Sequence, residues 1–278
     1  MEGVRKDVVV ANTSLLNTDW YTRQLIRRPI YEYDAAKGPA IYRGKAWPKP
    51  GSVPLRMTMQ EADSVPPYVV INKPMQVNAG ELKFILNPSN LQNDGQGNGY
   101  LERADIFVLR MIADSWPNRP VYFSRTSGGY AHQLGLGNYV LTQGLASKVF
   151  LPPARESADT IFNPNEGWMD VQRTQTLWDS VFQAPKSLAK RRPWIDQPSA
   201  GIPLLYVKTG LDLAEALRDT EPRAAAQVLL DTKAVAATMR LGPTVAGIEQ
   251  LMSSQPLPAG DSAIGAKTLP VLPPAPSA

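Results

Sequence analysis

The chain has 278 residues, 43% hydrophobic and 19% charged, with a net charge of +4 and a pI near 9.2. That balance suits one large or two modest globular domains with a buried core, and scattered basic residues give no stripe for a nucleic-acid partner. Cysteine is absent, which excludes disulfides, thiolate nucleophiles and cysteine–metal sites together.

Val8–Ala11 is an apolar run that predicts a strand, followed by the polar turn Asn12–Ser14. Asn17-Thr18-Asp19 supplies capping side chains for a helix over Asp19–Arg28, which Pro29 stops. Residues 29–68 carry Pro29, Pro39, Pro48, Pro50, Pro54, Pro66 and Pro67 and read as loop. Val69–Asn72 and Leu82–Leu86 read as short strands, and the glycine-rich stretch Asn93–Gly99 as a flexible loop. Arg103–Trp116 is apolar almost all round, which predicts a helix buried against a sheet. Pro120–Ser124 reads as the strand that follows, Asn138–Ala146 as a helix and Lys148–Leu151 as a strand. Strand, helix, strand in this order predicts parallel pairing with right-handed crossovers. Residues 154–200, with Trp168, Trp178 and Trp194, read as an irregular helical wrap.

After Pro203 the pattern becomes helical. Leu204, Val207, Leu211, Ala214 and Leu217 mark one helix, and Ala226, Leu230, Ala234, Ala237 and Leu241 a second. Thr220-Glu221-Pro222 opens the second helix and Gly242-Pro243 is expected to end it. Pro256, Pro258, Pro270, Pro273, Pro274 and Pro276 predict a disordered tail. The expected fold is α/β: an incomplete open, mainly parallel sheet with flanking helices over 1–153, a wrap over 154–200, an α-helical hairpin region over 201–243 and a Pro-rich tail over 244–278.

Little in this sequence carries chemistry by itself. His132 is the single histidine and stands in a glycine-flanked loop, where it reads as a loop-packing side chain or a general base. One histidine without cysteine predicts no zinc site, and no loop has the dense acidic spacing of a calcium site. Gly95-Gln96-Gly97-Asn98-Gly99 lacks the dinucleotide-binding spacing, so no cofactor is expected. No stretch reaches the ~18 consecutive apolar residues of a membrane span. The segment Met1–Asp7 lacks the apolar core of a signal peptide. Polar residues at the expected strand ends remain: Asn12, Ser14, Asn17, Asp19, Arg23, Arg119, Ser124 and Arg125. Ligands of open α/β sheets collect at such ends. Asn17, Asp19, Trp20, Arg23, Arg119, Ser124 and His132 are therefore the candidate binding residues, with helix capping and salt bridging as the competing roles.

The run from Glu2 to Tyr21 resembles a stretch of large bacterial multi-span membrane proteins related to eukaryotic protein O-mannosyltransferases. Arg119-Pro120-Val121-Tyr122-Phe123-Ser124, Leu134-Gly135-Leu136 and Gln143-Gly144-Leu145 resemble further stations of that family, in the same order. The likeness covers about 1–155 and continues more weakly to about 243. Gln143 stands where the family often has glutamate. The resemblance implies transfer of a sugar from a lipid-linked donor to a protein or other acceptor. It places the catalytic carboxylate in a membrane domain that this chain lacks, so no catalytic residue is carried over. The family has a further strand and a Gly-Asp-Asn-Asp-type segment before the region matching Glu2. The chain is then expected to be the extracytoplasmic C-terminal part of such a protein. Its partners would be the parent's membrane domain and a protein or glycan acceptor. Two other readings stand beside this one: a stand-alone enzyme or binding protein using the strand-end crevice, and a protein-interaction module on the helical hairpin.

Overall fold

The computed structural model describes residues 8–30, 53–79, 81–153, 155, 157, 159–163, 167–190 and 199–254. The expected tail beyond Ser254, the pair Arg191-Arg192 and Trp194 lie outside them.

The chain is a mixed α/β protein with a C-terminal helical region. Helix α1 (Asp19–Arg27) begins with Asp19 in its first turn and buries Thr22 and Leu25. The Thr22 hydroxyl, inside the core, donates to the carbonyls of Leu16 and Thr18. The short helix α2 (Met59–Ser64) starts with a reciprocal capping box between Thr58 and Glu61. Three strands follow: β1 (Tyr68–Ile71), β2 (Met75–Ala79) and β3 (Leu82–Leu86). In β3, Leu82, Phe84 and Leu86 face inward while Lys83 and Ile85 face out, the period-two signature of a half-buried strand. Strands β4 (Gln92–Asn93) and β5 (Gly99–Glu102) complete a three-stranded sheet in the order β1-β5-β4, and β2 pairs β3 separately. Helix α3 (Arg103–Ser115) buries Phe107, Val108 and Ile112 in the first hydrophobic cluster, with Ile106, Leu109 and Met111 packed against it, as its apolar girth requires.

A five-stranded sheet follows, from β6 (Tyr122–Ser124), β7 (Val140–Gln143), β8 (Ala146–Val149), β9 (Thr160–Asn163) and β10 (Gly167–Asp170), in the order β6-β8-β7-β10-β9. Between β6 and β7 lies the single-turn helix α4 (Tyr130–Gln133). Two expectations fail here. Among the described strands only β7 and β10 run parallel, and every other pair is antiparallel. The stretch expected as a helix over 138–146 is instead β7 and its hairpin turn into β8. Gly144 has φ +65° and leads the two-residue turn Gly144-Leu145 that joins Gln143 to Ala146. Turns this short return the chain antiparallel, whereas parallel pairing needs a long crossover. Val8–Ala11 also forms no strand: Tyr21 holds it in place, its hydroxyl donating to Val10 O at 3.2 Å and accepting from Asn12 N at 2.8 Å.

One face of this sheet is the common floor of two cores. Phe123, Val140 and Val149 belong to the first hydrophobic cluster, and Met169, with Ile161 packed against it, to the second. The opposite face carries, in cross-strand register, Tyr122, Lys148, Leu141, Trp168 and Phe162. The second core is built by α5 (Val171–Ser180), α6 (Ala184–Leu188), α7 (Gly201–Leu217), α8 (Pro222–Thr238) and α9 (Gly242–Ser254). Gly210 of α7 is required by close approach: a Cβ there would stand 2.0 Å from Thr232 Oγ1 of α8. Helix α9 lies where the tail was expected to begin. Pro243 sits in the first turn of a third helix, a position that tolerates it, and does not stop the second. The two cores are bolted together by Arg125, whose guanidinium donates to Asp212 of α7 at 2.7 and 2.9 Å with both side chains largely buried.

Candidate functional site

The N-terminus of α3 organises a polar site. Glu102 ends β5 and is the N-cap of α3. The amide of Arg103 donates to Pro67 O at 2.9 Å, and that of Ala104 to Asn17 Oδ1 at 2.9 Å. Asn17 also uses its other end, donating from Nδ2 to Glu102 Oε2 at 2.8 Å. Arg103 pairs with Asp19 and donates to Ala62 O at 2.7 Å, while its Cζ lies 5.3 Å from the centre of the Phe107 ring. The buried Nε of Arg103 has no hydrogen-bond partner.

In the same first turn, Asp105 is only 5% exposed and accepts from Glu102 N at 2.8 Å and from the Tyr130 hydroxyl at 2.6 Å. Burial raises the Asp105 carboxyl above its usual range, partly offset by those two donors. Burial, and then the neighbouring carboxylate, push the Tyr130 phenol well above its ordinary value. This hydrogen-bonded pair is a buried anchor under the site.

Above it lies a cleft of about 340 Å³ bounded by Asn17, Pro67, Tyr68, Tyr100, Glu102 and Arg103. The antiparallel register sets Tyr68 opposite Glu102 and Val70 opposite Tyr100, so all four share the outward face of the three-stranded sheet. The rings of Tyr68 and Tyr100 meet edge-on at 6.4 Å and 72°, and the Tyr100 hydroxyl donates to Gln92 Oε1 at 2.6 Å. Tyr68 is 62% exposed. Ring faces, a carboxylate, an amide and a guanidinium converge on one small concavity. Groups of these kinds can bind and orient a polar ligand. Among the lining residues no nucleophile stands beside a base.

Of the candidate residues, the structure brings Asn17, Asp19 and Arg23 into this neighbourhood, and only Asn17 lines the cleft. Asp19 holds Arg103, and Arg23 holds Asp63 of α2, its NH2 lying 3.0 Å from both carboxylate oxygens. Trp20 is 55% exposed on α1 and packs edge-on against Tyr21. The other three lie elsewhere. Arg119 sits between α3 and β6, its amide donating to Ser115 O. Ser124 caps a 3-10 turn by accepting from Thr126 N at 3.3 Å. His132 is exposed on α4 and packs against Gly137, where a Cβ would stand 2.6 Å from the imidazole. The expected strand-end crevice is not formed, because Val8–Ala11 is not a strand and β6 pairs antiparallel to β8. Sequence reasoning missed Tyr68, Tyr100, Glu102 and Arg103. The usable signal was the alternation in Gly99-Tyr100-Leu101-Glu102, buried and half-buried by turns. Among the described residues no group of three or more acidic or histidine side chains is placed to hold a metal ion, and no helix is long and apolar enough to cross a membrane.

Residues 1–42 match the family model described as TMEM260-associated domain 2. No curated protein and no solved structure matches the chain. The matched segment is the one that carries Asn17, Asp19, Trp20 and Arg23.

Proposed function

We propose that this chain is the extracytoplasmic C-terminal part of a membrane glycosyltransferase related to protein O-mannosyltransferases, with an accessory, acceptor-binding role beside a membrane domain that carries the catalysis. The observation behind this reading is a coincidence of two likenesses. The segment matched by TMEM260-associated domain 2, residues 1–42, contains the run Glu2–Tyr21 that resembles the glycosyltransferase family. Its described part is fastened to the rest of the α/β unit through Asn17, Asp19 and Arg23, so the likeness bears on an integral piece of the fold. On this reading the unit sits at the periplasmic face of a bacterial inner membrane. The cleft holds the acceptor, and the reaction takes place elsewhere in the parent.

Immunoblotting of fractionated cells with an antiserum against this chain tests the reading. The expected species is far larger than 30.4 kDa, is found in the inner-membrane fraction and is cut by protease added to spheroplasts. A soluble species of 30.4 kDa overturns it in favour of a stand-alone binding protein.

A further inference from the structure

We infer that the cleft between β1, β5 and the start of α3 is a subsite for a neutral, polyhydroxylated ring, the class to which pyranoses belong, and not for a phosphate-bearing donor. The inference deepens the acceptor-binding role proposed above and rests on it only for naming the ring as part of an acceptor.

Three features of the lining select the ligand. The first is shape: Tyr68 and Tyr100 with Pro67 present ring and C–H surface around about 340 Å³, within the usual range for small-ligand sites. The electron-rich face of an exposed tyrosine attracts the C–H-bearing face of a sugar ring. The second is hydrogen bonding. Glu102 accepts from Asn17 at Oε2 and, in the capping box, from the Asp105 amide, and its carboxylate has lone pairs left to accept from ligand hydroxyls. Because Asn17 is itself held by the Ala104 amide, that carboxylate is fixed in place before a ligand arrives.

The third is charge. A helix N-terminus ordinarily favours an anion. Here the amides of Arg103 and Ala104 already donate to Pro67 and Asn17, and the Arg103 guanidinium is already paired with Asp19. The Glu102 carboxylate in the lining repels a phosphate, and the lining as a whole, with one carboxylate and one guanidinium, has no net charge to draw a cation. The two tyrosine rings stand at 72° to each other and offer no parallel walls to a flat cation; a compact quaternary ammonium is the competing ligand that the test separates. A neutral polar ring is what the balanced charge of the lining favours.

NMR titration of the full chain, following the Tyr68 and Tyr100 ring signals, tests the inference with three probes: neutral methyl pyranosides, inorganic phosphate and choline. At least one methyl pyranoside is expected to shift both rings saturably, with a Kd on the order of 1 mM, and the other two probes to leave them unmoved. Tyr68→Ala is expected to weaken pyranoside binding about tenfold with an unchanged melting temperature, because the ring is 62% exposed and its loss opens no core cavity. Tyr68→Phe, which keeps the ring, is expected to bind as wild type does. No shift with any pyranoside, a preferential shift with phosphate or choline, or unchanged binding in Tyr68→Ala each overturns the inference. Pyranoside binding together with a soluble 30.4 kDa species in cells removes the membrane parent and leaves the subsite standing.

Discussion

Asn17 and Glu102 are 85 positions apart in the chain, and Asn17 Nδ2 donates to Glu102 Oε2 at 2.8 Å. The same asparagine accepts the second amide of α3 at 2.9 Å, so one side chain fixes the entry to α1 against the start of α3 and sets one wall of the cleft.

Asn17→Ala removes an acceptor from a helix amide and a donor from a carboxylate at once. It is expected to destabilise the protein by roughly 1–3 kcal/mol and to lower the urea midpoint with the m-value unchanged. A midpoint equal to wild type's would show that water replaces both bonds without cost.

Arg125 and Asp212 are expected to couple the two cores. Their side chains are 8% and 18% exposed and lie 2.7 Å apart, so removing Arg125 leaves a poorly solvated carboxylate to its longer 3.5 Å contact with Lys208. Arg125→Ala is expected to cost about 3 kcal/mol. A double-mutant cycle with Asp212→Ala is expected to return a coupling of roughly 1–3 kcal/mol. A coupling near zero would mean that the sheet and α7 are held by apolar packing alone.

Gly210→Ala forces a Cβ to within 2.0 Å of Thr232 Oγ1 and 2.8 Å of the Trp178 ring. Overpacking of this kind is expected to cost about 1–3 kcal/mol, although alanine is the better helix former by about 1 kcal/mol. Gly201→Ala, at the first residue of the same helix with nothing within 4 Å, is the control and is expected to be neutral or slightly stabilising. Equal melting temperatures for the two variants would contradict the tight crossing of α7 and α8.

Asp105 gives a pH signature of unusual sign. Burial raises its folded-state pKa above the unfolded value of about 3.9. The folded state therefore binds more proton between those two values, and the stability this contributes is complete below about pH 3.9 and is lost as pH rises through the folded pKa. Asp105→Asn lacks this dependence. The stability advantage of wild type over Asp105→Asn is thus expected to shrink as pH rises from 3.5 toward about 7, the groups common to both cancelling in the difference. An advantage that stays flat or grows over that range would contradict burial as the dominant influence on Asp105.

The elements legible in the sequence are those with a local cause. Helix α1 has Asp19 at its start and Pro29 beyond its end, α3 has an unbroken apolar girth, and α7 and α8 follow their helical period up to Pro222. The misreadings come from tertiary pairing. Val140–Gln143 alternates buried and half-buried positions, too short a stretch for its period to separate strand from helix before Gly144 turns it into a hairpin. On α8 the buried residues are Ala225, Val228, Leu229, Thr232, Val235 and Ala236, one register away from the stripe expected to face inward, because a helix rich in alanine offers two apolar faces. The site was illegible for the same reason. Grouping Arg119, Ser124 and His132 with Asp19 assumed the strand-end rule of parallel sheets, whereas the cleft arises where antiparallel β1 and β5 bring Tyr68 beside Glu102.

The most direct test of the proposed function is to read the DNA upstream of the Met1 codon. A C-terminal part of a membrane glycosyltransferase requires an open frame continuous with Glu2 that encodes many apolar spans, ending in a strand and a Gly-Asp-Asn-Asp-type segment. A stop codon in frame just before Met1, preceded by its own promoter, would contradict that origin and leave the Tyr68–Tyr100 cleft as the site of a protein that acts alone.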